Sequence, residues 1–261
     1  MRPAIKSLSA LLCPLILFVF ILLPPQANAA KSKKSYMYGD VVLMNSTAES
    51  GGGAVTFRHW THRDKYTCRL CHVDLEFSQL AGETDILEED NQSGRYCGAC
   101  HNGKEAFSIK SCTRCHAKDA NHFALMNKQA KKDFYIFQRN MPRSMYGNKI
   151  DWMKAEYEGL ITLKDRLPNY SMEKKNFVTN QRDEPLTASL PGLPDIIFSH
   201  QKHVTWNGCG MCHPQPFELK NGTTNISMQL IIDGKLCGDC HGTVAFQIND
   251  CALCHSTPVS L

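Results

Sequence analysis

Apolar residues are concentrated at one end of this chain and scattered through the rest. The single long apolar run, Leu8 to Leu23, follows a basic start with Arg2 and Lys6 and leads into Pro24-Pro25-Gln26-Ala27-Asn28-Ala29. A basic region, an apolar region and a small-residue box form the pattern of a Sec-type signal peptide cleaved after Ala29. An uncleaved membrane anchor is the competing reading, since the run is close to spanning length. Cys13 has no small residue before it, which argues against a lipid-modified N-terminal cysteine. No later segment approaches a spanning length.

Downstream, neither a 3.6-residue nor a 2-residue period is sustained, and Gly, Asn, Asp and Lys are frequent, so short helical turns joined by irregular chain are predicted. The stretch from Phe123 to Pro194 carries no cysteine and holds Phe134, Tyr135, Phe137, Trp152 and Tyr157. It reads as an ordered connector with a helix opened by Asp151 and a loop from Gln181 to Pro194. Its aromatics suit packing better than a separate binding site. The expected segments are 1–29 signal, 30–54 N-terminal segment, 55–122 first module, 123–194 connector and 195–261 second module.

With 261 residues, 43% hydrophobic and 21% charged, the chain suits ordinary globular domains and excludes disorder or fibres. Removing residues 1–29 takes away two basic residues and lowers the formal charge from +4 to +2. That near-neutral balance gives no sign of nucleic-acid binding. No Walker A motif, dinucleotide fingerprint or nucleophile elbow is present.

The 13 cysteines change the picture. After the signal segment every one belongs to a C-x-x-C-H unit: Cys68, Cys71, His72; Cys97, Cys100, His101; Cys112, Cys115, His116; Cys209, Cys212, His213; Cys237, Cys240, His241; Cys251, Cys254, His255. This is the attachment signature of c-type haem, in which two thiols become thioethers and the histidine becomes the proximal iron ligand. Zinc knuckles, redox pairs and disulfide frameworks use paired cysteines without needing that histidine. Six covalent haems are therefore expected, and their propionates would turn the holoprotein net negative. Thioether attachment happens outside the cytoplasmic membrane, so export to the periplasm, or onward to the outer membrane or cell surface, is expected.

The motifs repeat as a block. Phe57-Arg-His59-Trp-Thr-His62 and Phe198-Ser-His200-Gln-Lys-His203 each precede three motifs, which recur at offsets of 141, 140 and 139 residues. This is a duplicated three-haem module. About 60 residues is too short to bury a large apolar core, so haems must form it. His59, His62, His200, His203 and His122 remain as candidate distal ligands.

F-x-H-x-x-H followed by three C-x-x-C-H units resembles the triheme cytochromes c7, relatives of the cytochromes c3, across both modules but not the connector. The resemblance implies a small, mostly irregular and α, haem-cored multihaem cytochrome with two tandem c7-like triheme modules. It pairs His59 with the haem of His72, His62 with that of His101, and His200 and His203 with those of His213 and His241. The chain departs from the family at the third haem. Where the family has a further histidine, Ser93 and Asp233 stand here. Met228 and His122 are the candidate substitutes, and methionine ligation would raise that haem's potential. An unfilled position would leave a reactive iron. Electron transfer without catalysis is the expected function, with other cytochromes, quinol-oxidising complexes or an extracellular acceptor as partners. The alternative is a multihaem reductase with one open distal face, although no C-x-x-C-K variant of the nitrite reductases occurs.

Overall fold

Polar spacers between the motifs cannot support long elements by propensity, and most elements are one or two turns long. The computed structural model describes residues 33–43, 53–171, 183–188 and 190–257. The signal segment, residues 1–29, lies outside the described residues. Among those described, no helix is long and apolar enough to cross a membrane.

The module pattern is built twice. In the first, β1 (Asp40–Leu43) pairs antiparallel with β2 (Val55–Arg58), which runs straight into α1 (Trp60–Arg63). Helix α2 (Glu88–Gln92) precedes the second motif, and His116 of the third motif bridges back to Val55. After the connector helices α3 (Ala120–Arg139) and α4 (Trp152–Tyr157), the order recurs: β3 (Glu184–Leu186) with β4 (Ile196–Phe198), α5 (His200–Asn207), α6 (Met228–Ile232), and a bridge from His255 to Ile196. Each module thus closes on the strand that leads into its F-x-H-x-x-H segment.

Strand β3 lies inside the segment expected to be a loop, Gln181 to Pro194. Pro185 at its centre is tolerated because a two-stranded ribbon leaves one edge of each strand without ladder donors. The helix expected after Asp151 forms, and the Asp151 carboxylate caps it by accepting the Lys154 amide at 3.0 Å. Helix α3 is a larger departure. It spans 20 residues and runs across the boundary expected at residue 122. Its inward positions, Met126, Ala130, Phe134, Phe137 and the following Met141, recur at three- and four-residue steps, and Phe134 is fully buried.

The main apolar core lies between the modules. Trp60 from α1, Trp206 from α5 and Trp152 from α4 meet Phe134, Ile150, Ala155 and Ile161. All three tryptophans of the chain are in this cluster. A second cluster of Leu70, Leu75, Ala99 and Leu167 seats the end of the connector on the first module.

Candidate functional site

Each C-x-x-C-H unit winds into a single turn. The histidine amide bonds the carbonyl of the first cysteine at 2.8 Å in the motifs of His101, His116 and His255, and at 3.0 Å in those of His213 and His241. That turn brings the first cysteine and the histidine, four residues apart, onto one side. The first motif instead lies in a π-helical turn, Leu70–Asp74. In the second motif of each module the residue after the first cysteine is Gly98 or Gly238. A Cβ there would collide with the carbonyl oxygen of Asn91 or Ile231, so the helix before the motif can touch it only if that residue is glycine.

All twelve motif cysteines are free of disulfides. Burial pushes the Cys71 and Cys240 thiols up to about 12, and those of Cys97 and Cys237 up to about 11. A redox-active pair needs the opposite shift, toward thiolate. A thioether sulfur, being neutral, suits these positions.

The six motif histidines are held by one kind of hydrogen bond. Each Nδ1–H donates to a backbone carbonyl: His72 to Phe77, His101 to Phe107, His116 to Gly53, His213 to Phe217, His241 to Phe246 and His255 to Pro194, at 2.7–3.3 Å. The bond fixes the tautomer and leaves every Nε2 lone pair open, as a metal-binding imidazole requires. Burial lowers the pKa of His72, His101 and His241, keeping those rings neutral at pH 7.

The upstream histidines are prepared in the same way. His59 donates to Gly39 O, His62 to Thr61 Oγ1 at 2.9 Å, and His203 to Ser199 O at 2.9 Å. Burial lowers the pKa of His59 and takes His62 down to about 4. The phenylalanine that opens F-x-H-x-x-H sets both rings. Phe57 meets His59 edge-on at 4.9 Å and 87°, and lies tilted on His62 at 4.5 Å and 32°. Phe198 repeats this with His200 at 4.8 Å and 88°, and with His203 at 4.3 Å and 31°.

Three pairs of rings then oppose each other. His59 and His72 stand 6.4 Å apart between centroids and nearly parallel at 7°. His62 and His101 are 6.3 Å apart at 62°, and His203 and His241 are 6.3 Å apart at 55°. A metal–nitrogen bond of about 2 Å on each side, plus the distance from nitrogen to ring centre, places two imidazoles across one metal at about 6.3 Å. The residues therefore fit a six-coordinate haem iron. A cavity of about 600 Å³, lined in part by His72, Phe77 and Tyr96, lies beside the first pair. Buried donors at Thr56 Oγ1, Trp60 Nε1, Arg63 Nε and Trp206 Nε1 have no partner among the described residues. Such donors suit the carboxylates a haem brings.

The remaining candidates sit differently. His122 lies in the first turn of α3, where its Nδ1 accepts the Lys118 amide at 3.1 Å, which leaves the ring proton on Nε2. Met228 opens α6 and is 41% exposed. Among the described residues, no ring stands opposite His116 as His59 stands opposite His72. Sequence reasoning missed the roles of Phe57 and Phe198 in seating the histidines, although their conserved place in the two repeats was the available signal.

The family described as cytochrome c7 and related cytochrome c matches residues 55–117 and 196–256. A c7-type three-heme cytochrome domain is 37% identical over 30% of this chain and 91% of its own, with a TM-score of 0.27. The C-terminal hexaheme fragment of GSU1996 is 23% identical, and the N-terminal fragment 24%; each match covers 84% of this chain and 98% of the fragment, with TM-scores of 0.27 and 0.26. A search of curated proteins finds no match. The family match falls on both modules and leaves out the connector between them.

Proposed function

The chain belongs to the family of cytochrome c7 and related cytochromes c, with the triheme module duplicated, and on that premise we propose that it is an exported carrier serving anaerobic respiration in the periplasm or at the cell surface. It carries six covalent c-type haems, and its family implies electron transfer. Each haem iron, when bound, takes up and releases one electron between its ferric and ferrous states. The protein's share is to hold, orient and dry the six sites close together, so that electrons can hop between them and pass to a partner cytochrome, a quinol-oxidising complex or an extracellular acceptor.

One observation carries this reading: the three opposed histidine pairs at 6.3–6.4 Å, each ring pinned through Nδ1. Two fixed axial ligands close the iron to substrate and let it change charge with little bond movement, which favours transfer over catalysis. We assign His59 with His72, His62 with His101, and His203 with His241 as axial pairs, and His200 with His213 by the repeat. Met228 is assigned to the third haem of the second module, and His122 to that of the first if its ring proton moves to Nδ1. The modules are taken as 55–122 and 195–261, joined by the connector 123–194.

A reductase with one open iron is the second reading, supported by the lack of an opposed ring at His116. Pyridine haemochrome counting and EPR of the oxidised protein separate the two. Six haems, all low-spin, support the carrier. One high-spin haem per chain that binds nitrite or carbon monoxide stoichiometrically supports the reductase, and fewer than six haems overturns the cofactor assignment itself.

A further inference from the structure

The two copies of the module differ at the residues through which they touch. Arg63, the last residue of α1, reaches out of the first module, and its guanidinium carbon lies 5.0 Å from the Trp152 ring centre and 4.9 Å from that of Trp206. Its Nη1 donates to Val244 O, three residues past His241, at 2.9 Å. Cys68, in the first attachment turn of module one, packs against the same aromatic cluster, and the Val244 amide donates to Cys240 O, in the second attachment turn of module two, at 3.0 Å. Beside Arg63, the Tyr38 hydroxyl donates to Ala245 O, and Gly39, whose φ of +80° disfavours any side chain, sits between His59 and Val244.

The duplication makes this contact informative. By the repeat, Arg63 corresponds to Val204 and Trp206 to Lys65. One copy has the cation and the other the ring, so the two copies are complementary halves of a joint that neither could form with a replica of itself. No side-chain carboxylate among the described residues pairs with Arg63, so the chain's own groups leave this cation unneutralised against two indole rings. A charge in such a place acts strongly on its neighbours.

We infer that Arg63 is the joint between the modules: it clamps the first attachment turn of module one to the second attachment turn of module two, and its charge raises the reduction potential at those two sites. This rests on the haem assignment above. A fixed cation favours the ferrous form, which carries one positive charge fewer than the ferric, so removing it lowers the potential. The sites of His72 and His241 feel it most.

The test is the reduction potential of each haem, followed by NMR of the haem methyl groups through staged oxidation of the full holoprotein, with thermal melting alongside. Arg63→Gln is expected to shift the reduction equilibrium at the His72 and His241 sites at least tenfold toward the oxidised form, about 59 mV for a one-electron couple, and to move the other four less than threefold. Arg63→Lys keeps the charge and loses the planar stacking, so both potentials stay within threefold while the melting temperature falls. The inference is overturned if Arg63→Gln carries six haems and leaves both potentials in place, or shifts all six alike, as it would if a haem carboxylate already neutralised Arg63. Those outcomes leave the six-haem reading intact. If Arg63→Gln loads fewer than six haems, Trp206→Leu tests the clamp with the charge retained; an unchanged melting temperature and protease resistance would overturn it.

Discussion

The two modules hold their histidines alike to within a few tenths of an ångström and are surrounded differently. Phe57 and Phe198 set their histidine rings at matching distances and angles, and the second pair of each module repeats at 6.3 Å. Around that shared frame, residues 164–170 of the connector bind module one through polar groups. Asp165 Oδ1 accepts from Thr67 Oγ1 at 2.7 Å and from Arg69 Nε at 3.1 Å, Lys164 pairs with Glu105, and the Tyr170 hydroxyl bonds Gly94 O at 2.5 Å. Module one also has Arg58 beside Asp40, where module two has Ser199. Ligation belongs to the repeated motif, whereas the environment that sets each potential belongs to whatever packs on it. Duplication can therefore preserve the sites while differentiating their redox properties.

The strongest way to break the comparison is to remove one proposed ligand from each copy. His62→Ala and His203→Ala should each convert one haem of six from low-spin to high-spin and open it to carbon monoxide, visible by EPR and CO difference spectra. Equal effects confirm equivalent roles, and an effect in one copy alone refutes them. Next are the glycines inside the second motifs. Gly98→Ala and Gly238→Ala each force a side chain onto a backbone carbonyl, which should cost about 3 kcal/mol by thermal or guanidinium unfolding in both modules.

Asp165→Ala tests what the modules do not share. It strips the acceptor from Thr67 and Arg69 and should cost about 1–3 kcal/mol, with new protease cleavage in the connector. The smallest effect is expected at Asp40. Burial, partly opposed by Arg58 and Lys33, raises this carboxyl to about 6. A raised carboxyl pKa means that the folded chain holds the proton more tightly than the unfolded chain, so stability falls as pH rises from about 4 to about 6. Asp40→Asn should then be more stable than the parent by about 1–2 kcal/mol at pH 7, allowing for solvent screening, and no more stable at pH 4. Guanidinium titrations at the two pH values give the answer.

Much of the site was legible from spacing alone, because C-x-x-C-H and F-x-H-x-x-H are local devices. The misses have physical reasons. Helix α3 was overlooked because lysines and asparagines dilute an inward row that does follow the helical step. Strand β3 was read as loop because Pro185 and nearby charges resemble a turn, while its pairing partner lies about a dozen residues away. The glycine of each second motif looked like an incidental filler until the backbone of the preceding helix was seen against it.

The order of the motifs, their duplication and their six attachment turns follow from the sequence by itself, since hydrogen bonds spanning three to five residues shape each turn wherever it sits. Which rings oppose one another, how the connector leans on one module, and the meeting of Arg63 with Trp152 and Trp206 were decided only in three dimensions. The Arg63 contacts join residues roughly ninety to one hundred and forty positions apart. No local pattern encodes them, because a cation and an indole find each other through the packing of whole modules.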